Sequence, residues 1–373
     1  MGVRLLHTAD WQIGKGFGTV PGDKGAALRN QRLETVGRLA ALATELAVDA
    51  VLVAGDVFDA QTVSDETLRR VMERLRGFAG PWVLLPGNHD ATLAESVWTR
   101  LEALGARPAN VHFALTPEPL HLPGMALAIL PAPLQRRHEP ADLTAWFAAA
   151  ETPPEIVRVG LAHGSVTDFL PAEAARHNPI ERTRAGTAGL DYLALGDWHG
   201  TLRVDGRTWY AGTPETDRFR SRAPGHALVV DLDAPGVEPR VETVATTRFH
   251  WHTLEHRLGD GGDLAVLEDR LQVLGEPFDR HVVALLLSGV VGLAERVAIE
   301  EVVERWRARF HFLDVDDAAL TTAATEADLA ALQDSGFVAA AAAILRRRRD
   351  AGEATAGDAL QMLFAEYRRR QGG

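Results

Sequence analysis

The first hundred residues alternate strand, helix, strand, helix, strand, helix, and each strand stops at a cluster of polar side chains. Val3–His7 runs into Thr8-Ala9-Asp10-Trp11-Gln12, Ala50–Ala54 into Gly55-Asp56-Val57-Phe58-Asp59, and Trp82–Leu85 into Pro86-Gly87-Asn88-His89-Asp90. Short apolar, β-branched runs bounded by Gly or Pro read as buried parallel strands. Between them, Gln31–Ala47 repeats apolar residues at helical spacing (Leu33, Val36, Leu39, Ala40, Ala43, Leu46), after an irregular Gly-rich loop over 13–30. A second helix is expected from about Ser64 to Phe78, with Ser64 as N-cap and Asp65 and Glu66 in its first turn, and a third from about Ala94 to Leu104. This alternation predicts a layered α/β domain, whose chemistry gathers beyond the carboxyl ends of the strands.

From residue 110 the pattern changes to strands with short connections. Ala126–Pro131, Ile156–Ala162 and Leu190–Leu195 read as buried strands, and Leu202–Tyr210 as a hairpin turning at Asp205-Gly206. Ala227–Leu232 and Val241–Val244 are expected to complete a second sheet. Two of these runs again end in polar groups, His163-Gly164 and Gly196-Asp197-Trp198-His199. Around Thr246 the rhythm resets to a β-α-β-α-β unit ending near Val315, whose strands end in no acid or histidine cluster. Two Ala- and Arg-rich helices follow, about 326–349 and 354–370, broken at Ala351-Gly352. The domains expected are thus 1–246, 247–316 and a helical tail over 317–373.

The absence of cysteine excludes disulfides, thiolate metal sites and a cysteine nucleophile. No apolar run approaches membrane-spanning length and no signal segment precedes the first strand, so a cytoplasmic protein without membrane contact is expected. A net charge of −12 argues against a protein that coats nucleic acid, but not against a nuclease, because bound cations invert the field of a carboxylate-rich site.

Collected along the chain, the polar strand ends are Asp10 and Gln12; Asp56 and Asp59; Asn88, His89 and Asp90; His163; and Asp197 and His199. Carboxylates, amide oxygen and imidazole are the ligands of hydrolytic metal sites, and five such ends supply enough for two cations. Two cations about 3.5–4 Å apart can orient a hydroxide and stabilise both oxygens of a phosphoryl displacement. Singly, these Asp and Asn residues would read as turn formers or helix caps. Trp11 and Trp198 could stack on a base or pack beneath the site. Arg218 could contact phosphate or simply pair with Asp217. The arginines at 346–349 and 368–370 could meet DNA phosphates or complement helix ends.

Asp-x-Gln, Gly-Asp-x-x-Asp, Gly-Asn-His-Asp, a His after an apolar strand and Gly-Asp-x-His together resemble the calcineurin-like metallophosphoesterases. His7–Trp11, Ala54–Asp59 and Pro86–Asp90 are similar to the SbcD-like branch, the DNA-repair exonucleases. The resemblance implies a four-layer α-β-β-α sandwich of two mixed sheets, with an appended capping domain that binds DNA. It implies a two-metal DNA exonuclease, with endonuclease activity also open. Asp10, Gln12, Asp56 and His199 would hold one metal, and a bridging Asp56 with Asn88, His163 and Asp197 the other. His89, oriented by Asp90, would stabilise the transition state and protonate the leaving oxygen; Asp59 would touch substrate or the outer sphere. It further implies a homodimer and a tail that docks on an SbcC-like, SMC-type ATPase.

The sequence departs from the family pattern twice, with Gln12 and Asp197 where that pattern has histidine. Both changes replace nitrogen by oxygen, which favours Mn²⁺, with Mg²⁺ or Fe²⁺ as other candidates, over Zn²⁺. The acidic net charge leaves open a small-molecule phosphodiesterase or nucleotidase of the same core, and Gln12 and Asp197 leave open a catalytically weakened scaffold.

Overall fold

Alternation along the first strands decides which layer each side chain enters. In the computed structural model, which describes residues 2–170, 177–219, 224–259, 263–323 and 336–371, Leu6 of β1 (Val3–Thr8) and Val51 and Val53 of β2 (Ala50–Val53) turn to one face. Leu5, Ala50 and Leu52 turn to the other, as the period of two along a strand requires. β3 (Trp82–Leu84) and β4 (Val111–Phe113) extend the parallel run. Helices α1 (Gly22–Glu45), α2 (Asp65–Leu75) and α3 (Val97–Ala103) cover the first face with Leu33, Val36, Leu39, Leu68, Val71 and Trp98.

The second sheet carries β5 (Leu120–His121), β6 (Leu127–Ala132), β7 (Val157–His163), β10 (Tyr192–Gly196), β11 (Leu202–Arg203) and β12 (Thr208–Tyr210). Its order is β11-β12-β10-β7-β6-β5, parallel inside and antiparallel at both edges. A small pair, β8 (Ser165–Val166) and β9 (Pro179–Ile180), lies beside it. Leu5, Leu52, Ile129, Val159, Leu161 and Tyr192 form the core shared by the two sheets. Phe147, Leu190 and the short helix α4 (Arg184–Thr187) pack on the outer face of the second sheet. The result is the mixed, two-sheet α/β sandwich that the resemblance implies.

Three expectations change. β13 (His226–Leu232) and β14 (Arg240–Ala245) complete the first sheet, not the second, giving the order β14-β13-β1-β2-β3-β4. α1 starts at Gly22, inside the stretch expected to be irregular, and Gly25 and Leu28 in that added part also face inward. α3 starts at Val97, where Ser96 and Thr99 exchange side-chain-to-backbone hydrogen bonds in a capping box.

The chain divides after Phe249 into units Met1–Phe249 and His250–Gly373. The second contains three parallel strands, β15 (His250–Leu258), β16 (His281–Val291) and β17 (Phe312–Thr322), with α5 (Asp263–Gln272) and α6 (Leu293–Arg309) between them. β17 runs seven residues past Val315. Helices α7 (Gly336–Asp350) and α8 (Ala354–Gln371) belong to this unit, with Ala342, Leu360 and Phe364 packed around Leu293 of α6. The expected helical stretch 326–335 and the side chains of Arg368–Arg370 lie outside the described residues.

Candidate metal centre

The backbone at the strand ends turns sharply so that carboxylates converge. Asp10 (φ 54°), Gln12 (φ 43°), Asp56 (φ 52°) and Asp197 (φ 97°) all lie in the left-handed region, at a cost of about 1–3 kcal/mol each. Hydrogen bonds from Asp10 N to Gly55 O (3.1 Å) and from Gln12 N to Asp56 O (2.8 Å) lock the two turns together. Gly87 is required where its loop crosses Asp56, since a Cβ there would sit 2.2 Å from Asp56 Oδ1.

Asp10, Asp56 and His163 are buried, and one ligand atom from each lies within 4.8 Å of the others. The His163 ring donates from Nδ1 to the Ala54 carbonyl (2.8 Å), which leaves Nε2 as the lone-pair nitrogen of the neutral ring. That atom stands 3.5 Å from Asp56 Oδ1 and 3.8 Å from Asp197 Oδ1, and it has no hydrogen-bond partner. Asn88 Oδ1 is likewise buried and unpartnered, while Asn88 Nδ2 donates to Asp197 Oδ1 (3.3 Å). Lone pairs aimed at carboxylates repel unless a proton or cation stands between them. Burial pushes Asp10 up to about 6 and raises Asp197. Burial alone would lower His163, but the carboxylates of Asp56, Asp10 and Asp197 outweigh it and raise the ring to about 9. Oxygen-rich, buried, and with two orphaned ligand atoms, the set fits a divalent cation.

Asp197 is held from both sides: Ser165 Oγ donates to Oδ2 (2.9 Å), and its own N–H points at both Asp10 oxygens (3.2 Å each). Ser165 and Arg32 carry no motif signal and are found only in the fold. Arg32, on the buried face of α1, donates to the carbonyls of Trp11 (2.7 Å), Asp10 (3.1 Å) and Glu215 (3.0 Å) and to Thr213 Oγ1 (3.2 Å). It thereby clamps the loop that carries Asp10 and Gln12.

Around His89 the roles differ from expectation. Its Nδ1 donates to the main-chain carbonyl of Asp59 (2.7 Å), which orients the ring, and Nε2 lies 3.9 Å from Asp56 Oδ2. Asp90 does not touch the ring. Its carboxylate accepts from Gly87 N (2.7 Å) and Phe58 N (3.0 Å) and so fixes both loops; burial and the neighbouring Asp56 raise it to about 7. What Asp59 offers the His89 ring is its main-chain carbonyl.

Gln12 also departs from the expected ligand role. Its Oε1 accepts from Lys15 Nζ (3.0 Å), and its Nε2 faces Asp56 Oδ2 (3.5 Å) and His199 Nε2 (3.3 Å). Behind His199 stands Asp217, buried and ringed by Lys15 Nζ (2.7 Å), Arg218 Nε (3.0 Å), His199 Nδ1 (3.6 Å) and Arg32 (3.9 Å). Burial opposes its charge, but His199, Arg32 and Arg218 hold its carboxyl well below the usual range. Arg218 pairs with Asp217 and also reaches His199 Nδ1 (3.0 Å). Trp11 packs edge to face on Trp82 (6.0 Å) and donates to Thr8, as a core residue; Trp198 packs partly buried on the second sheet's outer face.

Two mixed sheets whose strand ends converge on a carboxylate–imidazole cluster define a metallophosphoesterase core, and the chain belongs to the calcineurin-like phosphoesterases: that family's model matches residues 3–230. Among curated relatives, the chain is 43% identical over 117 residues to the D component of the nuclease SbcCD of Rhodobacter capsulatus, covering 30% of this chain and 26% of that one. It is 26% identical over 283 residues to the DNA double-strand break repair protein Mre11 of Aeropyrum pernix, covering 70% and 65%. The chain thus spans less than two thirds of the length of either relative. The solved structure of TT1561 from Thermus thermophilus aligns with a TM-score of 0.41 at 15% identity, over 66% of this chain and all of that one, and carries no functional argument.

Proposed function

We propose that the chain is a metal-dependent phosphodiesterase acting on DNA, a nuclease of the SbcD-like branch with exonuclease chemistry and endonuclease chemistry also open. The observation that carries this reading is the buried Asp10–Asp56–His163 cluster with the unpartnered His163 Nε2 and Asn88 Oδ1 beside it. Asp56, Asn88, His163 and Asp197 would hold a cation, with Asp10, Asp56 and His199 flanking a second position. Held there, a divalent cation would supply Lewis-acid chemistry, polarising a phosphoryl oxygen and activating water. The oxygen-rich donor set favours Mn²⁺, with Mg²⁺ or Fe²⁺ as alternatives. His89, set by the Asp59 carbonyl with its Nε2 turned toward Asp56, would donate a proton to the departing oxygen, and Arg218, half exposed beside His199, would meet substrate phosphate.

The resemblance to DNA nucleases supports DNA as the substrate. On this reading the β15–β17 part of the second unit is the capping, DNA-binding domain, and α7 and α8 dock an SMC-type ATPase. The active form is a homodimer in the cytoplasm, and no described helix is long and apolar enough to cross a membrane. The test is hydrolysis of labelled single- and double-stranded DNA beside bis-p-nitrophenyl phosphate, with Mn²⁺ or Mg²⁺. DNA cleavage lost in Asp56→Ala and His89→Ala is the expected result. Turnover of the small diester alone points to a small-molecule phosphodiesterase, and turnover of neither to a scaffold.

A further inference from the structure

The two halves of the centre are built differently. On one side His163 Nε2 and Asn88 Oδ1 are buried ligand atoms without partners, beside Asp56 and Asp197. On the other side donors crowd in: the Lys15 ammonium, the Gln12 amide and the Arg218 guanidinium. An ammonium has only donors to offer, so the Gln12 atom facing Lys15 Nζ at 3.0 Å is the amide oxygen. The NH₂ is thereby turned into the centre, toward Asp56 Oδ2 (3.5 Å) and His199 Nε2 (3.3 Å). Lys15 cannot readily swing away, because Asp217 Oδ2 holds it at 2.7 Å and that carboxylate is itself fully buried.

We infer that Lys15 and Gln12 stand in for the second cation, so that the centre holds one divalent ion firmly, on Asp56, Asn88, His163 and Asp197, instead of the two expected from the sequence. This rests on the metal-dependent reading above. An inward NH₂ offers no lone pair to a metal, and its protons partly neutralise Asp56 where a cation would otherwise do so. The ammonium behind it adds a fixed positive charge that opposes a second cation and suits an anionic phosphoryl oxygen. Lys15 acts through Gln12, as a positioning residue that sets metal stoichiometry.

The experiment is Mn²⁺ titration of the metal-stripped full chain, read by calorimetry and by electron paramagnetic resonance. The expected wild-type result is one tight Mn²⁺, with the hyperfine pattern of an isolated ion and a second ion weaker by about 10- to 100-fold. Lys15→Met, at a side chain only 20% exposed yet outside the core, frees the amide to turn its oxygen inward. Gln12→His supplies a lone pair directly. Each variant is expected to narrow the gap between the two affinities and to bring out the spin-coupled signal of a Mn²⁺ pair. A wild-type protein that takes two Mn²⁺ with similar affinity and a coupled spectrum overturns the inference, and so does an unchanged gap in both variants; either leaves the metal-dependent reading standing. No Mn²⁺ bound at all overturns that reading and this one with it.

Discussion

The His89 imidazole is tethered through Nδ1 to the main-chain carbonyl of Asp59 at 2.7 Å, which leaves Nε2 turned to the centre, 3.9 Å from Asp56 Oδ2. Because the tether is a backbone atom, the two residues should behave differently on substitution. His89→Ala should lower kcat on bis-p-nitrophenyl phosphate by about 10²–10⁴ with Mn²⁺ content intact. Asp59→Ala, which keeps the carbonyl, should leave kcat nearly unchanged. Equal losses in the two would place the Asp59 carboxylate in the chemistry after all.

The titration of the cluster fixes how stability depends on pH. His163, raised from 6.5 to about 9, stabilises the metal-free fold fully below pH 6.5, and that contribution is lost as pH rises to about 9. Asp10 and Asp90, raised by burial from 3.8 to about 6 and about 7, ionise more readily in the unfolded chain. Their ionisation therefore costs stability as pH climbs from 3.8 to about 7. The Tm of EDTA-treated protein should fall across this whole range. Mn²⁺ replaces the His163 proton, so the Tm rise on adding it should be larger at about pH 8 than at about pH 6. A Tm shift independent of pH would remove His163 from the ligands.

Gly87→Ala tests the packing of the centre without removing a polar atom. The added Cβ would fall 2.2 Å from Asp56 Oδ1 and 2.4 Å from Asp56 N. Mn²⁺ affinity should drop by at least about tenfold while far-ultraviolet circular dichroism stays native. Unaltered affinity would mean that Asp56 is free to move.

Arg32 holds the carbonyls of Asp10, Trp11 and Glu215 and is buried. Arg32→Met should destabilise by roughly 3–5 kcal/mol, because it strands those carbonyls and deprives Asp217 of a counter-charge. Chemical denaturation measures this directly; a loss below about 1 kcal/mol would mean that water replaces the guanidinium.

What the sequence disclosed, and what it hid, follows from the kind of signal each feature leaves. Asp56 and Asn88 were legible because each ends an apolar run of strand length, and a strand end is a position that periodicity can locate. The swap of β13 and β14 into the first sheet was hidden, since Ala227–Leu232 is as apolar as any strand of the second sheet and pairing partners leave no local mark. Asp59 and Asp90 were visible as acids, but whether a residue acts through carboxylate or carbonyl is decided by loop geometry. Lys15 sits three residues past Gln12 in a Gly-rich loop without periodicity, and only the fold brings Asp217 beside it.

Phosphodiester cleavage should depend on a cation held at His163 and Asp56. The direct measurement is hydrolysis of labelled DNA and of bis-p-nitrophenyl phosphate by protein stripped with EDTA and then given Mn²⁺, for the wild type and for His163→Ala. No cleavage is expected from the stripped protein, with recovery in the wild type on adding Mn²⁺ and none in His163→Ala at the same Mn²⁺ concentration. Cleavage that survives stripping, or that His163→Ala retains in full, would contradict that dependence.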